Sequence, residues 1–211
     1  MIKIIPAILA KTPEEFETMI RAVEPHTDLV HLDIADGAFV PNKTIGGYEE
    51  LQKINTKLNF EVHLMVNNPE GQIGRWLKTK AIRFLIHWES TAEIDAVINE
   101  LSTNGKEIGL VFNPQTNWIV SEPYTDRIDL VQFMTVDPGF YGSPFLPEVL
   151  EKIKNFQSQY PNKVIQVDGG IKPEIVKLVE AVGVSRAAVG SYIFKSDNIG
   201  EALKELTTSN V

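Results

Sequence analysis

Eight short apolar runs, near residues 2–9, 29–34, 59–66, 83–88, 107–112, 129–136, 164–168 and 187–190, alternate along the chain with amphipathic or polar stretches. Runs of that length read as strands buried on both faces, and parallel strands need a helical crossover between each pair. The pattern therefore predicts an α/β fold with a parallel sheet. Eight units, with no Ser/Gly-rich linker and no break in composition, predict one domain over 1–211 that closes into a (β/α)8 barrel. A doubly wound open sheet is the alternative, and no GxGxxG follows the first run to support it. Thr12-Pro13-Glu14-Glu15 carries a cap, a proline at the first helical position and first-turn acids, and Leu146-Pro147-Glu148 and Lys172-Pro173-Glu174 mark further helix starts. Between 113 and 128, Pro114 and Pro123 leave room for only a short helix.

Four ionisable residues stand where predicted strands end. They are His31 and Asp33 in VHLDIADG, His63 in FEVHLMV and Asp168 in VIQVDGG. Residues two apart in a strand share a face, so His31 and Asp33 point the same way. A single histidine in an apolar run is more often a core residue with its hydrogen bonds satisfied. Taken together the balance reverses, because buried Asp33 and Asp168 would each carry a large desolvation cost unless paired or metal-bound. Two imidazoles and two carboxylates make a divalent-metal site, with carboxylates close to any bound substrate and able to move a proton next to a carbonyl. His87, in FLIHWES, also ends a strand, but Trp88 and Glu89 beside it suit a structural, hydrogen-bonded role. Met65 and Met134 share strand faces with His63 and Gln132, where they could cover the site and exclude water.

Two glycine segments follow predicted strands seven and eight: Asp168-Gly169-Gly170 and Val189-Gly190-Ser191. The loops after those strands are the usual phosphate site of a βα barrel, and glycine lets backbone N–H groups turn towards an anion. Pro138-Gly139-Phe140-Tyr141-Gly142, after strand six, could close over the same phosphate.

Composition removes several function classes. Lys and Arg number 20 against 28 Asp and Glu, a formal net charge of −8, which argues against a nucleic-acid or anionic-membrane binder. With no cysteine, a metal must be held by nitrogen and oxygen. The opening MIKIIPAILAK carries one Lys and an apolar run broken by Pro6, and reads as a first strand rather than a signal peptide. No apolar stretch approaches the roughly 18 residues of a membrane span, so a cytoplasmic location is expected.

Nearly end to end, the segments IIPAIL, HLDIADGAFVPNKTIG, EVHLMVNNPE, GLVFNPQT, MTVDPGFYG, IQVDGG and VGSYIF resemble the ribulose-phosphate 3-epimerase family, which are TIM-barrel enzymes of carbohydrate metabolism. The resemblance implies that His31, Asp33, His63 and Asp168 bind a divalent ion, zinc or iron, with manganese and cobalt as further candidates. It implies that Asp33 and Asp168 are the acid–base pair. It also puts Gly142, Gly169, Gly170, Gly190 and Ser191 at phosphate-binding positions. The reaction it implies is inversion of carbon 3 of D-ribulose 5-phosphate to give D-xylulose 5-phosphate by two-aspartate proton transfer through an enediolate, and a homo-oligomer is the expected assembly.

The chain departs from the family at Ala7, where a substrate-contacting serine is usual, at Ala35 in place of methionine, and over Tyr141-Gly142-Ser143-Pro144 in place of a Gly-Gly-Gln-Ser type sequence. Pro144 has no N–H to give a phosphate. These changes keep open epimerisation of another sugar, such as a ketohexose 6-phosphate, and a non-catalytic barrel that binds a sugar phosphate.

Overall fold

A computed structural model describes residues 2–138 and 142–208. Each predicted run forms a strand: β1 (Lys3–Ile8), β2 (Leu29–Ala35), β3 (Asn59–Met65), β4 (Ala81–His87), β5 (Glu107–Phe112), β6 (Leu130–Met134), β7 (Val164–Asp168) and β8 (Arg186–Val189). All neighbours pair in parallel, and β8 returns to β1 through Lys3↔Arg186 and Pro6↔Val189, so the sheet is a closed barrel. Closure leaves no free edge, which an open doubly wound sheet would have.

The helices are α1 (Pro13–Val23), α2 (Tyr48–Lys53), α3 (Glu70–Trp76), α4 (Ile94–Thr103), α5 (Val149–Gln159), α6 (Pro173–Ala181), α7 (Ser191–Phe194) and α8 (Ile199–Thr208). The Thr12 hydroxyl accepts the Glu15 N–H at 3.1 Å, as its capping position requires. Pro173 opens α6 at its first position as expected, while Lys172 before it makes no side-chain cap hydrogen bond. Leu146 and Pro147 instead form a turn, with Val149 N–H donating to Leu146 O at 3.2 Å, and α5 begins after it. The 113–128 stretch holds no α-helix: Trp118–Arg127 is a run of 3₁₀ turns, consistent with Pro123 inside it lacking an N–H.

The pleat sorts each strand into two sets. Val30, Leu32 and Ile34 of β2 and Phe60, Val62 and Leu64 of β3 face outwards into the main apolar core, where Phe16, Ile20, Trp76 and Phe156 of the helices cover them. Burying each such side chain contributes about 1.5–3 kcal/mol. The inward set is largely polar: His31, Glu61, His63, Arg83, His87, Gln132 and Gln166 are all buried. A small apolar cluster of Leu85, Val111, Leu130 and Met134 fills the rest of one side.

Candidate active site

Strand register brings the four predicted ligands together. Asp33 and His63 are Cα partners in the β2–β3 ladder, and Asp168 ends β7 on the other side of β1 and β8. His63 Nδ1 lies 2.9 Å from Asp33 Oδ1 and 3.3 Å from Asp168 Oδ2. His31 Nε2 lies 3.2 Å from Asp33 Oδ1, 3.8 Å from Asp168 Oδ2 and 3.2 Å from His63 Nδ1. The two rings are fully buried, and the Asp33 and Asp168 side chains keep 7% and 13% of their surface.

This donor set suits a divalent cation. One atom from each residue lies within 4.8 Å of the other three. Four ligands at bonds of about 2.0–2.2 Å in a tetrahedron would stand roughly 3.3–3.6 Å apart. The five separations that involve a histidine nitrogen run from 2.9 to 3.8 Å and bracket that span, and all four atoms lie within 4.8 Å of one another. The electrostatics agree. Burial works against a charged His31 ring, yet Asp33, Glu61 and Asp168 together hold it well above the usual histidine value. His63 is raised in the same way by hydrogen bonds to Asp168 and Asp33, against burial and the His31 charge. Asp33 is held low by the two rings in spite of its burial. Two carboxylates at the mouth thus draw positive charge to one point.

Residues that the sequence left unmarked support this point from below. Glu61 Oε1 lies 2.7 Å from His31 Nδ1, and its other oxygen accepts from Arg83, which also binds Glu107. Gln166 Nε2 donates to Glu61 Oε1 at 2.6 Å and to Gln132 Oε1 at 2.9 Å. Burial alone would raise the Glu61 carboxyl, but His31, Arg83 and Gln166 bring it down to about 2. An ionised carboxylate only accepts, so His31 carries its proton on Nδ1 and presents Nε2 to the cluster. A signal for Glu61 existed in FEVHLMV, since it sits two residues before His63 on the same strand face. His87, expected from the sequence to have a structural, hydrogen-bonded role, takes one: its Nε2 meets His63 Nε2 at 2.8 Å, and burial pushes its ring down to about 4.

Above the cluster lies a cleft lined by Asp33, Asp168, Met65 and Met134 together with Gly142, Gly169, Gly170, Gly190 and Ser191. Both methionines are 2% exposed. Gly169 has φ +112°, and a Cβ there would stand 2.3 Å from Val136 Cγ2; Gly170 has φ +66°, and its Cβ would meet the Phe145 backbone nitrogen at 2.8 Å. Only glycine fits either position. Thr135 fixes this turn by donating its hydroxyl to the carbonyls of Asp168 (3.0 Å) and Gly169 (2.6 Å). No lysine or arginine lines the cleft among the described residues.

Ala7 stands in the lining, so the hydroxyl expected there is absent from the wall. Ala35 packs with Val40 and Met65 in a small apolar cluster. Pro144 borders an adjoining groove rather than this cleft. Of the proposed lid, Gly139, Phe140 and Tyr141 lie outside the described residues.

Residues 3–194 match the model of the ribulose-phosphate 3 epimerase family. Ribulose-phosphate 3-epimerase of Bacillus subtilis (strain 168) is 35% identical over 216 residues, covering 99% of this chain and 100% of the relative. The cytoplasmic isoform of the enzyme from Oryza sativa subsp. japonica is 34% identical over 217 residues, covering 98% and 93%. Among solved structures, a 3-hexulose-6-phosphate synthase aligns over 100% of both chains with a TM-score of 0.75 at 15% identity, a likeness of fold.

Proposed function

We propose, because the chain belongs to the ribulose-phosphate 3-epimerase family, that it inverts carbon 3 of D-ribulose 5-phosphate to give D-xylulose 5-phosphate through a planar enediolate, with Asp33 and Asp168 as the two proton-transfer groups. The observation that carries this reading is the meeting of both carboxylates at one histidine nitrogen beneath a cleft lined by glycine turns.

Inversion needs a proton removed from one face of the carbon and returned to the other. A single base would tend to hand the proton back to the face it came from. Asp33 on β2 and Asp168 on β7 approach the cleft from different sides, so one removes the proton and the other delivers it, and their roles exchange in the reverse direction. His31, Asp33, His63 and Asp168 would hold a zinc or iron ion, which when bound polarises the ketone and adjacent hydroxyl oxygens and acidifies the carbon 3 proton. Met65 and Met134 keep water from the carbanionic centre. Backbone N–H groups around Gly142, Gly169, Gly170, Gly190 and Ser191 receive the phosphate, with no lining side-chain cation among the described residues.

A second reading keeps the chemistry and changes the sugar to a ketohexose 6-phosphate. Ala7 favours it, since the wall loses a hydroxyl and gains space where the family contacts substrate. No helix among the described residues is long and apolar enough to cross a membrane, and the proposed setting is cytoplasmic, with the protein as a homo-oligomer.

Incubation of zinc- or iron-loaded protein with D-ribulose 5-phosphate in deuterated water, followed by NMR at carbon 3, tests the proposal. Deuterium at that carbon with xylulose 5-phosphate appearing supports it. No exchange from folded, metal-loaded protein overturns the pentose assignment, and the same assay with a ketohexose 6-phosphate then decides the second reading.

A further inference from the structure

His87 ends β4, and Glu89 follows it in the 3₁₀ turn Trp88–Ser90. The rings of His63 and His87 are within 18° of parallel with centroids 4.9 Å apart, and their Nε2 atoms are 2.8 Å apart, so the rings meet edge to edge. At that distance one nitrogen must carry the hydrogen and the other must be bare, because two N–H groups or two lone pairs would repel.

The far side of the His87 ring decides which. His87 Nδ1 faces Glu89 Oε2 at 3.4 Å, and Glu89 Oε1 accepts the Asn113 N–H at 2.9 Å. A carboxylate has no proton to give, so the hydrogen sits on His87 Nδ1. A neutral imidazole protonated there is bare at Nε2. That bare nitrogen accepts the His63 Nε2 hydrogen. The Gln132 amide nitrogen, 3.5 Å from His63 Nε2, is too distant to compete with the 2.8 Å contact. With the His63 hydrogen kept on Nε2, a cation that takes the place of the Nδ1 hydrogen accepted by Asp33 and Asp168 finds the Nδ1 lone pair free to bind it.

We infer that Glu89 and His87 are positioning residues that set the tautomer of His63: the carboxylate orders His87, His87 keeps the His63 hydrogen on Nε2, and Nδ1 is presented bare to a divalent cation. The inference rests on the proposed metal centre. It gives His63 an outer partner in series, as Glu61 gives His31 one directly. Glu89 keeps 22% of its side-chain surface, so it can be replaced with less disturbance than the interior residues.

The test uses the full-length, zinc-loaded, ¹⁵N-labelled protein. Stoichiometric zinc in wild type is checked first, and its failure would count against the metal centre itself rather than against this relay. Two-bond proton–nitrogen correlations then read the His87 ring. The expected result is hydrogen on Nδ1 and a bare Nε2, the tautomer that free imidazole side chains disfavour. Hydrogen on Nε2 in wild type overturns the inference. Glu89→Ala is expected to return His87 to the Nε2–H form and to weaken zinc binding, measured by competition with a chelating dye, by about 10–100-fold. Unchanged zinc affinity in that variant also overturns it. His87→Gln, whose amide oxygen can take the acceptor's place, is expected to bind zinc close to wild type while His87→Leu does not; equal affinities for the two variants would again overturn it.

Discussion

Asp33 and Asp168 stand on strands separated by β1 and β8, yet both carboxylates reach one atom: His63 Nδ1 is 2.9 Å from Asp33 Oδ1 and 3.3 Å from Asp168 Oδ2. Two bases so placed can serve opposite faces of a substrate lying over them. Replacing either with Asn keeps size and removes proton transfer. Asp33→Asn and Asp168→Asn are each expected to lower kcat by at least about 10²–10⁴-fold with the far-ultraviolet circular dichroism unchanged. Near-wild-type turnover in either variant would remove that residue from the acid–base pair.

Metal removal should separate activity from folding. The buried rings and carboxylates pair with one another, so the cluster is internally neutralised without a cation. Chelator-stripped protein is therefore expected to stay folded but inactive, and to recover activity with zinc or iron. Zinc at about 100 times its Kd should add roughly 2.7 kcal/mol of stability. A melting temperature indifferent to zinc would contradict the site.

Glu61 neutralises Arg83, whose side chain is only 4% exposed, while accepting from Gln166 and His31. Glu61→Ala leaves that guanidinium partly unpaired inside the barrel, and a loss of about 3–5 kcal/mol is expected by urea unfolding. A loss below about 1 kcal/mol would mean that Glu107 alone suffices for Arg83.

The same carboxylate gives a pH signature. Its folded value of about 2 lies below the ordinary 4.5. The unfolded chain therefore binds a proton first as acid is added, and the stabilisation is present above pH 4.5 and lost as pH falls towards 2. The amount is about 3 kcal/mol. In metal-free protein, the advantage of wild type over Glu61→Gln should shrink across that window, and an advantage that grew with acid would refute the assignment.

Gly169 joins the end of β7 to the cleft proposed to receive the phosphate. Gly169→Ala meets both a positive φ and a Cβ contact of 2.3 Å with Val136. A stability loss of about 1–3 kcal/mol and a raised KM for the phosphorylated substrate are expected, since the turn must move. An unchanged KM would place phosphate binding elsewhere.

Much of this was legible in the chain. All eight runs became strands, and His31, Asp33, His63 and Asp168 were visible because each ended or shared the face of a run that had no other reason to bury a charge. Glu89 was legible only as a neighbour of His87, and its bond to the Asn113 N–H was not; Arg83 was not legible, because only register brings it opposite Glu61. The 3₁₀ turns at Trp118–Arg127 went unseen because two prolines rule out a regular helix without saying what replaces it.

By itself, the sequence determined which segments are strands and which residue types stand at their ends, since period and apolar content are local properties of a chain. Tertiary structure alone decided the register at which the predicted barrel closes, that Asp168 meets Asp33 around that closure, and which nitrogen of each histidine faces the cleft. Those are matters of register and of hydrogen-bond partners far apart in the chain, and a ring's proton position is set by what it touches, which no local pattern encodes.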